Sequence, residues 1–521
     1  MTRGGRTLTT ALLCAALALP PVAAATATRD LRGLDGLVRA YDFILEGRFD
    51  QVEAELRRAC GPAPREACEV LAATAIWWRI QLDPHSRAFD PEFTAAVERA
   101  IASTEAWAAR EPGNAEAWFY MGGAYAVRVQ WRVLRDEKLS AARDGKRILE
   151  ALEQAVELDP SLDDAYFAMG MYKYYADVAP AAARMMRFLF LLPGGDKKVG
   201  LEQMLRARAR GRLLQGEADY QLSIVYLWYE EQTARALHLL EGLHDHYPGN
   251  PVFLAQVARI QDAYQHDITA SIATWRSLLA AAREQRSNAP VLAEAQSRLE
   301  LARLLDGLHQ TDHAIEHLEA VVALKPNAPF GALPLAHLRL GEARDRLGAR
   351  AEAIDAYRTA QALANAPDVH EIRASAAARL RRAPDARRAE AYRLSLQGWR
   401  RLEQNDVAGA AAALERSLEL DRDDPVARYR IGRVLEARKE DGPALAQFET
   451  TIRHAKRCPA PILGNAYLEA ARLHERATRR EQAISYYRIA STLFGAAAET
   501  KSAATRALAR LRAAESRTPR R

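Results

Sequence analysis

Cysteine is scarce, with four residues in a chain of 521. A chain this long can bury enough apolar surface without a disulfide framework, so a small disulfide-built scaffold is excluded. Aromatic residues reach only 7%, although hydrophobic residues make up 49%. Alanine and leucine therefore carry the apolar content, as in stacked short helices. No charge of one sign dominates: 73 Lys and Arg face 67 Asp and Glu, a formal balance of +6. That balance leaves no basic stripe for a nucleic-acid backbone, and no nucleic acid is expected as partner. A mean hydropathy of −0.27 excludes a polytopic membrane protein, and the apolar fraction excludes a wholly disordered chain. Catalytic signatures are missing too. There is no Gly-x-Ser-x-Gly, no phosphate-cradling Gly-x-x-x-x-Gly-Lys and no His-Glu-x-x-His. The expectation is accordingly no enzyme, no catalytic residue, no cofactor and no metal site.

The first 25 residues read as a secretory signal peptide. Arg3 and Arg6 precede an apolar run from Thr10 to Leu19, followed by Pro20-Pro21 and the small residues Ala23-Ala24-Ala25. Without that leader the charge count is 71 basic against 67 acidic, or +4. An exported protein, periplasmic and open to association with a membrane, is the consequence. Cys14 follows Leu13, where a lipoprotein signal requires a small residue. Beyond the leader no stretch approaches the roughly 20 apolar residues of a membrane span. Cys60 and Cys68 flank the turn Gly61-Pro62-Ala63-Pro64. An export compartment permits a disulfide across that turn; two small hydrophobes facing one core is the other reading. Cys458 has no partner in either case.

A period of 34 residues organises the chain. Gly398 and Gly432, Ala410 and Ala444, Leu414 and Phe448 recur at that interval, while Ala314 and Ala353, Leu318 and Tyr357 are five residues further apart. Five extra residues fit a longer connecting loop. A small residue on a first helix (Gly122, Gly170, Gly341, Gly398, Gly432) and alanine on a second (Ala236, Ala314, Ala353, Ala410, Ala444, Ala483) let two helices approach closely. Pro112, Pro160, Pro248 and Pro326 then end the second helix, because proline lacks the N–H that would continue it.

On these positions the chain resembles the tetratricopeptide repeat (TPR) family. The best single match begins Trp118, Met121-Gly122 and Tyr125 and resumes at Leu152, Ala155 and Leu158-Asp159-Pro160. The resemblance spans most of residues 36–496 and implies an all-α, right-handed superhelical solenoid of about eleven antiparallel helix pairs. It also implies a non-catalytic scaffold for partner proteins or extended peptides. The expected organisation is a leader at 1–25, an N-terminal helical repeat segment with long insertions at 26–290 and TPR-like repeats at 291–366. An irregular arginine-rich junction at 367–390 follows, then C-terminal repeats and a capping helix at 391–515 and a basic tail at 516–521.

First-helix residues line the concave groove of such folds, and register selects them. In the C-terminal half they are Trp399, Tyr429, Arg430, Arg433, Asn465 and Arg472. Arginine and asparagine beside aromatics suit an extended peptide with acidic side chains, through bidentate pairing and stacking. Intrahelical pairing with Glu436 and Glu469 on a solvated face is the competing reading. In the N-terminal half the register selects an apolar set: Phe119, Tyr120, Phe167, Met171 and Tyr174. His309, His313 and His317 are spaced four apart, yet no third-ligand motif follows, so a solvated helix face is preferred over a metal. The apolar segment 180–192 is too short to span a bilayer; self-packing is preferred over a membrane-surface element or a ligand pocket, and the alternative function is a peripheral membrane adaptor, with an enzyme as a distant third. The identity of the partner, the process it serves and the oligomeric state are not encoded in any motif.

Overall fold

The structure, a computed structural model, describes residues 31–179, 194–364 and 366–516. Among these residues there are 24 α-helices and no strand. Eleven antiparallel pairs account for most of them. They are α1 (Leu34–Glu46) with α2 (Phe49–Ala59), α3 (Arg65–Leu82) with α4 (Asp90–Arg110), α5 (Ala115–Leu134) with α6 (Lys138–Leu158), and α7 (Ala165–Val178) with α8 (Lys197–Arg210). Next come α9 (Gln215–Trp228) with α10 (Thr233–His246), α11 (Pro251–Ala263) with α12 (Ile268–Arg283), α13 (Pro290–Gly307) with α14 (Thr311–Leu324), and α15 (Ala332–Arg346) with α16 (Arg350–Leu363). A single helix α17 (Ile372–Arg381) intervenes before α18 (Ala386–Glu403) with α19 (Val407–Leu420), α20 (Pro425–Ala437) with α21 (Asp441–Arg453), and α22 (Ala460–Arg476) with α23 (Arg480–Thr492). A last helix, α24 (Ala498–Ser516), covers the end of the stack.

The pairing follows from local chemistry. A Cβ on Gly398 would meet Leu414 at 2.5 Å, one on Gly432 would meet Phe448 at 2.6 Å, and one on Gly341 would meet Tyr357 at 2.5 Å. The first helix thus supplies a notch and the second a bulky knob. The second-helix alanines 236, 314, 353, 410, 444 and 483 are all wholly buried. The turns inside the pairs share a further device: a residue in the left-handed region sits five positions before the buried small residue. His309, Gly348, Asn405, Lys439 and Thr478 do this ahead of Ala314, Ala353, Ala410, Ala444 and Ala483. One residue at positive φ ends the first helix and reverses the chain within a few residues. At several inter-pair loops an Asn or Asp caps the next first helix: Asn114 accepts from the Glu116 N–H, Asn250 from Val252 and Asp424 from Val426.

The stretch 367–390 is less irregular than its composition predicts. Asp368 accepts from the N–H groups of Ile372 and Arg373 and starts α17, which packs on α15 and α16. Its arginine Arg379 pairs with Glu342 at 3.0 Å, so arginine there is the solvated side of a helix within the junction.

Superhelical closure places the core. α9 and α11 come back against α1 and α3, so that Trp78 packs its ring 5.1 Å from Tyr220 and 5.9 Å from Phe253. Asn250 donates to the Leu45 carbonyl at 2.7 Å, and Asn288 donates to the Glu46 carbonyl at 2.8 Å. The chain curls tightly enough to fill much of its own concave side.

Candidate functional site

In the C-terminal array the six register-selected residues part company. Arg430 is a correction to the groove expectation: it is only 3% exposed. Its guanidinium donates to Ser395 Oγ at 2.9 Å and to the His309 carbonyl at 2.7 Å, and lies 5.8 Å from the Trp399 ring centroid. The reason is closure. The α13–α14 turn occupies the concave side at this level and takes up a position that repeat register assigns to solvent. Thr311 hydrogen-bonds Tyr392 at 2.6 Å and Asp312 pairs with Arg400, completing that joint. Tyr429 is likewise buried, with its ring 6.3 Å from Trp399 and 5.8 Å from Phe448. Asn465 is half-buried and accepts from Thr500 Oγ1 of α24 at 2.6 Å.

Trp399, Arg433 and Arg472 remain at least partly at the surface. The two arginines meet at Glu469, whose side chain is only 8% exposed: Arg472 lies 2.8 Å from it and Arg433 3.6 Å. Arg433 also reaches Glu436 at 3.3 Å. Two cations therefore neutralise a buried carboxylate while staying partly exposed, and Arg433 also reaches Tyr429 Oη, whose ring lies 6.3 Å from that of Trp399. Such a group can receive a carboxylate or a main-chain carbonyl.

The apolar set in the N-terminal half is interior. Phe119, Tyr120, Phe167 and Tyr174 are buried and Met171 is half-buried, which corrects the expectation of an open groove there. Phe119, Tyr120 and Phe167 border a small cavity of about 60 Å³ that Tyr41 of α1 and Glu217 of α9 close from the other side. Glu217 accepts from the Trp78 indole at 3.0 Å, from Tyr41 Oη at 3.2 Å and from Gln221 at 3.3 Å. Burial pushes its carboxyl above the ordinary range, and those donors pull it back only in part. Sequence reading did not single out Glu217, which sits in the polar first turn of α9 beside Gln215, Asp219 and Gln221 and carries no signal of its burial.

Of the three histidines, His317 is half-buried, and burial with Arg298 nearby lowers its ring to about 4. His309 is the left-handed turn residue before α14, and burial with Arg430 and Arg346 nearby lowers its ring to about 4. His313 faces Glu316 of its own helix at 3.4 Å. Among the described residues no group of three or more His, Cys, Asp or Glu side chains converges as a metal site. Cys60 and Cys68 are joined by a disulfide across the α2–α3 turn, with Cα atoms 6.2 Å apart. Asp196, after the Gly194-Gly195 turn, caps α8 by accepting from the Val199 N–H at 3.0 Å. The leader at 1–25, most of the tail at 516–521 and the segment 180–192 lie outside the described residues, and among those described no helix is long and apolar enough to cross a membrane.

No protein-family model matches the sequence, and neither does any curated protein. Solved structures of low similarity do. The Rap protein complexed with competence and sporulation factor is similar over 92% of this chain and 99% of its own, at 12% identity and a TM-score of 0.33. The human IFIT1 dimer with m7Gppp-AAAA is similar over 82% and 91%, at 14% identity and 0.32. The TPR2AB domain of yeast Sti1 in its pHSP90 complex is similar over 58% and 99%, at 15% identity and 0.22. Overlays this loose assign nothing by themselves; the 34-residue spacing, the notch-and-knob pairs and the left-handed turns do. The chain is a tetratricopeptide-repeat-like, all-helical solenoid, with no closer named relative.

Proposed function

We propose that this protein is a non-catalytic interaction scaffold of the bacterial cell envelope, exported to the periplasm, that holds partner proteins or extended peptides against its C-terminal helices. The observation that carries the reading is the cluster of Arg433 and Arg472 about Glu469, on the two first helices that follow the one bearing Trp399. Its cationic forks and aromatic edge suit an acidic side chain or a carboxy-terminal carboxylate. The leader-like first 25 residues support export.

The test takes account of the buried acid. Removing both arginines alone would leave Glu469 buried and unpaired, which destabilises the fold for reasons unrelated to binding. The variant is therefore R433A/E469Q/R472A, compared with wild type in pull-downs from envelope extracts under matched melting temperatures. A prey captured by wild type is expected to lose about 1.5–3 kcal/mol for each charged hydrogen bond removed. Equal capture by a variant that melts like wild type overturns the groove assignment. Fractionation with amino-terminal sequencing checks export separately: a periplasmic chain starting near Thr26 agrees with it, and an uncleaved cytosolic chain refutes it.

A further inference from the structure

A second concavity lies on the side of the second helices, away from the residues considered above. Between α8 and α10, over the flank of α9, the structure leaves a cleft of about 400 Å³. That is within the roughly 300–1,000 Å³ of small-molecule clefts. Its floor is apolar: Tyr226 and Leu239 are buried beneath it, and Leu205 forms one wall while 37% exposed. Its rim is basic. Arg235 stands with its guanidinium 5.5 Å from the Tyr226 ring centroid and has no ion pair among the described residues. His238 is one turn on, exposed and likewise without a polar partner there. Arg208, opposite, is neutralised by Asp219. Among the described residues no carboxylate lines the cleft. α8 adds little to the field: of its five cations Lys197 pairs with Glu230, Arg206 with Asp163 and Arg208 with Asp219, which leaves Lys198 and Arg210 beside Glu202.

An apolar trough with an uncompensated cation at its edge selects a ligand that is greasy along its length and negative at one end. A peptide is a poor match. The lining consists of side chains on three helices whose backbone groups bond within the helices, so an extended main chain would find few partners. A hydrocarbon tail needs none. We propose that this cleft binds an amphiphile with a single apolar tail and an anionic head, the tail against Leu205, Tyr226 and Leu239 and the head at Arg235 and His238.

Calorimetric titration of the full chain with decanoate and with decanol tests the proposal, with vesicles of phosphatidylglycerol as a third probe. Saturable decanoate binding is expected, with decanol about tenfold or more weaker, since the charged contact is the difference between them. Arg235→Ala should weaken decanoate by about the same factor and leave decanol unchanged. Leu205→Glu should abolish both. Arg235 and Leu205 are exposed, so both variants should melt like wild type. Equal affinity for the two probes, or decanoate binding indifferent to Arg235→Ala, overturns the proposal. Binding to the vesicles with none to monomeric decanoate also overturns it, and assigns the basic face to a membrane surface instead.

Discussion

Glu217 is a carboxyl placed where water would normally be needed, held by the Trp78 indole, Tyr41 Oη and the Gln221 amide. Its folded value is raised by burial, so the native state favours the protonated form. The stability this contributes is complete below the unfolded value of about 4.3 and is lost as pH rises through the folded value. Glu217→Gln keeps the size and removes the titration. Melting temperatures across a pH series should therefore show the wild type falling relative to the variant as pH rises above the unfolded value. Parallel curves would mean that Glu217 is ionised without cost. The same scale shows where register misleads. Arg430 and Arg433 are three residues apart on α20, yet one donates to the His309 carbonyl in the interior and the other stays partly exposed beside Glu469. Nothing in the spacing separates them, because a segment more than a hundred residues upstream covers one and not the other.

Within single helix pairs the sequence was legible because the determinants are local. Small residues at first-helix notches, alanines at the second-helix crossing and proline after the second helix can each be read from a window of a few dozen residues. The left-handed turn residue escaped notice since His, Gly, Asn, Lys and Thr share no composition; only backbone geometry unites them. Two glycines give opposite expectations. At Gly432 a methyl group would press on Phe448, which is wholly buried and has nowhere to move. Overpacking of about 1–3 kcal/mol should outweigh the gain of about 1 kcal/mol in helix propensity, so Gly432→Ala should lower the melting temperature. Gly242 in α10 has no atom within 4 Å of the position a Cβ would take. There Gly242→Ala should stabilise by about 0.5–1 kcal/mol. A rise at both sites would show that the notch is not needed for pairing. The helix α17 is hidden by its arginines, which read as an irregular junction; Asp368 capping and the contacts with α15 and α16 make it a helix.

For the whole molecule, closure of the superhelix is the dominant fact. Asn250 holds it at one point, with Nδ2 donating to the Leu45 carbonyl of α1 and Oδ1 accepting from the Val252 N–H at 3.0 Å. Asn250→Ala strands a buried carbonyl and removes a helix cap, a loss of about 2–4 kcal/mol in sum. Hydrogen exchange should then speed up across Leu34–Glu46 while helices after Ala386 keep their protection. Uniform acceleration over the chain would instead indicate that the ring opens only with global unfolding. The sequence by itself determined the all-helical class, the paired repeat and its period, since each depends on residues close in the chain and on which side chains fit a helix crossing. Only the tertiary structure decided which concave positions are free. Superhelical pitch accumulates from many small rotations between pairs, so whether Tyr120 and Arg430 face solvent or meet α9 and the α13–α14 turn depends on the path of the whole chain and on no single repeat.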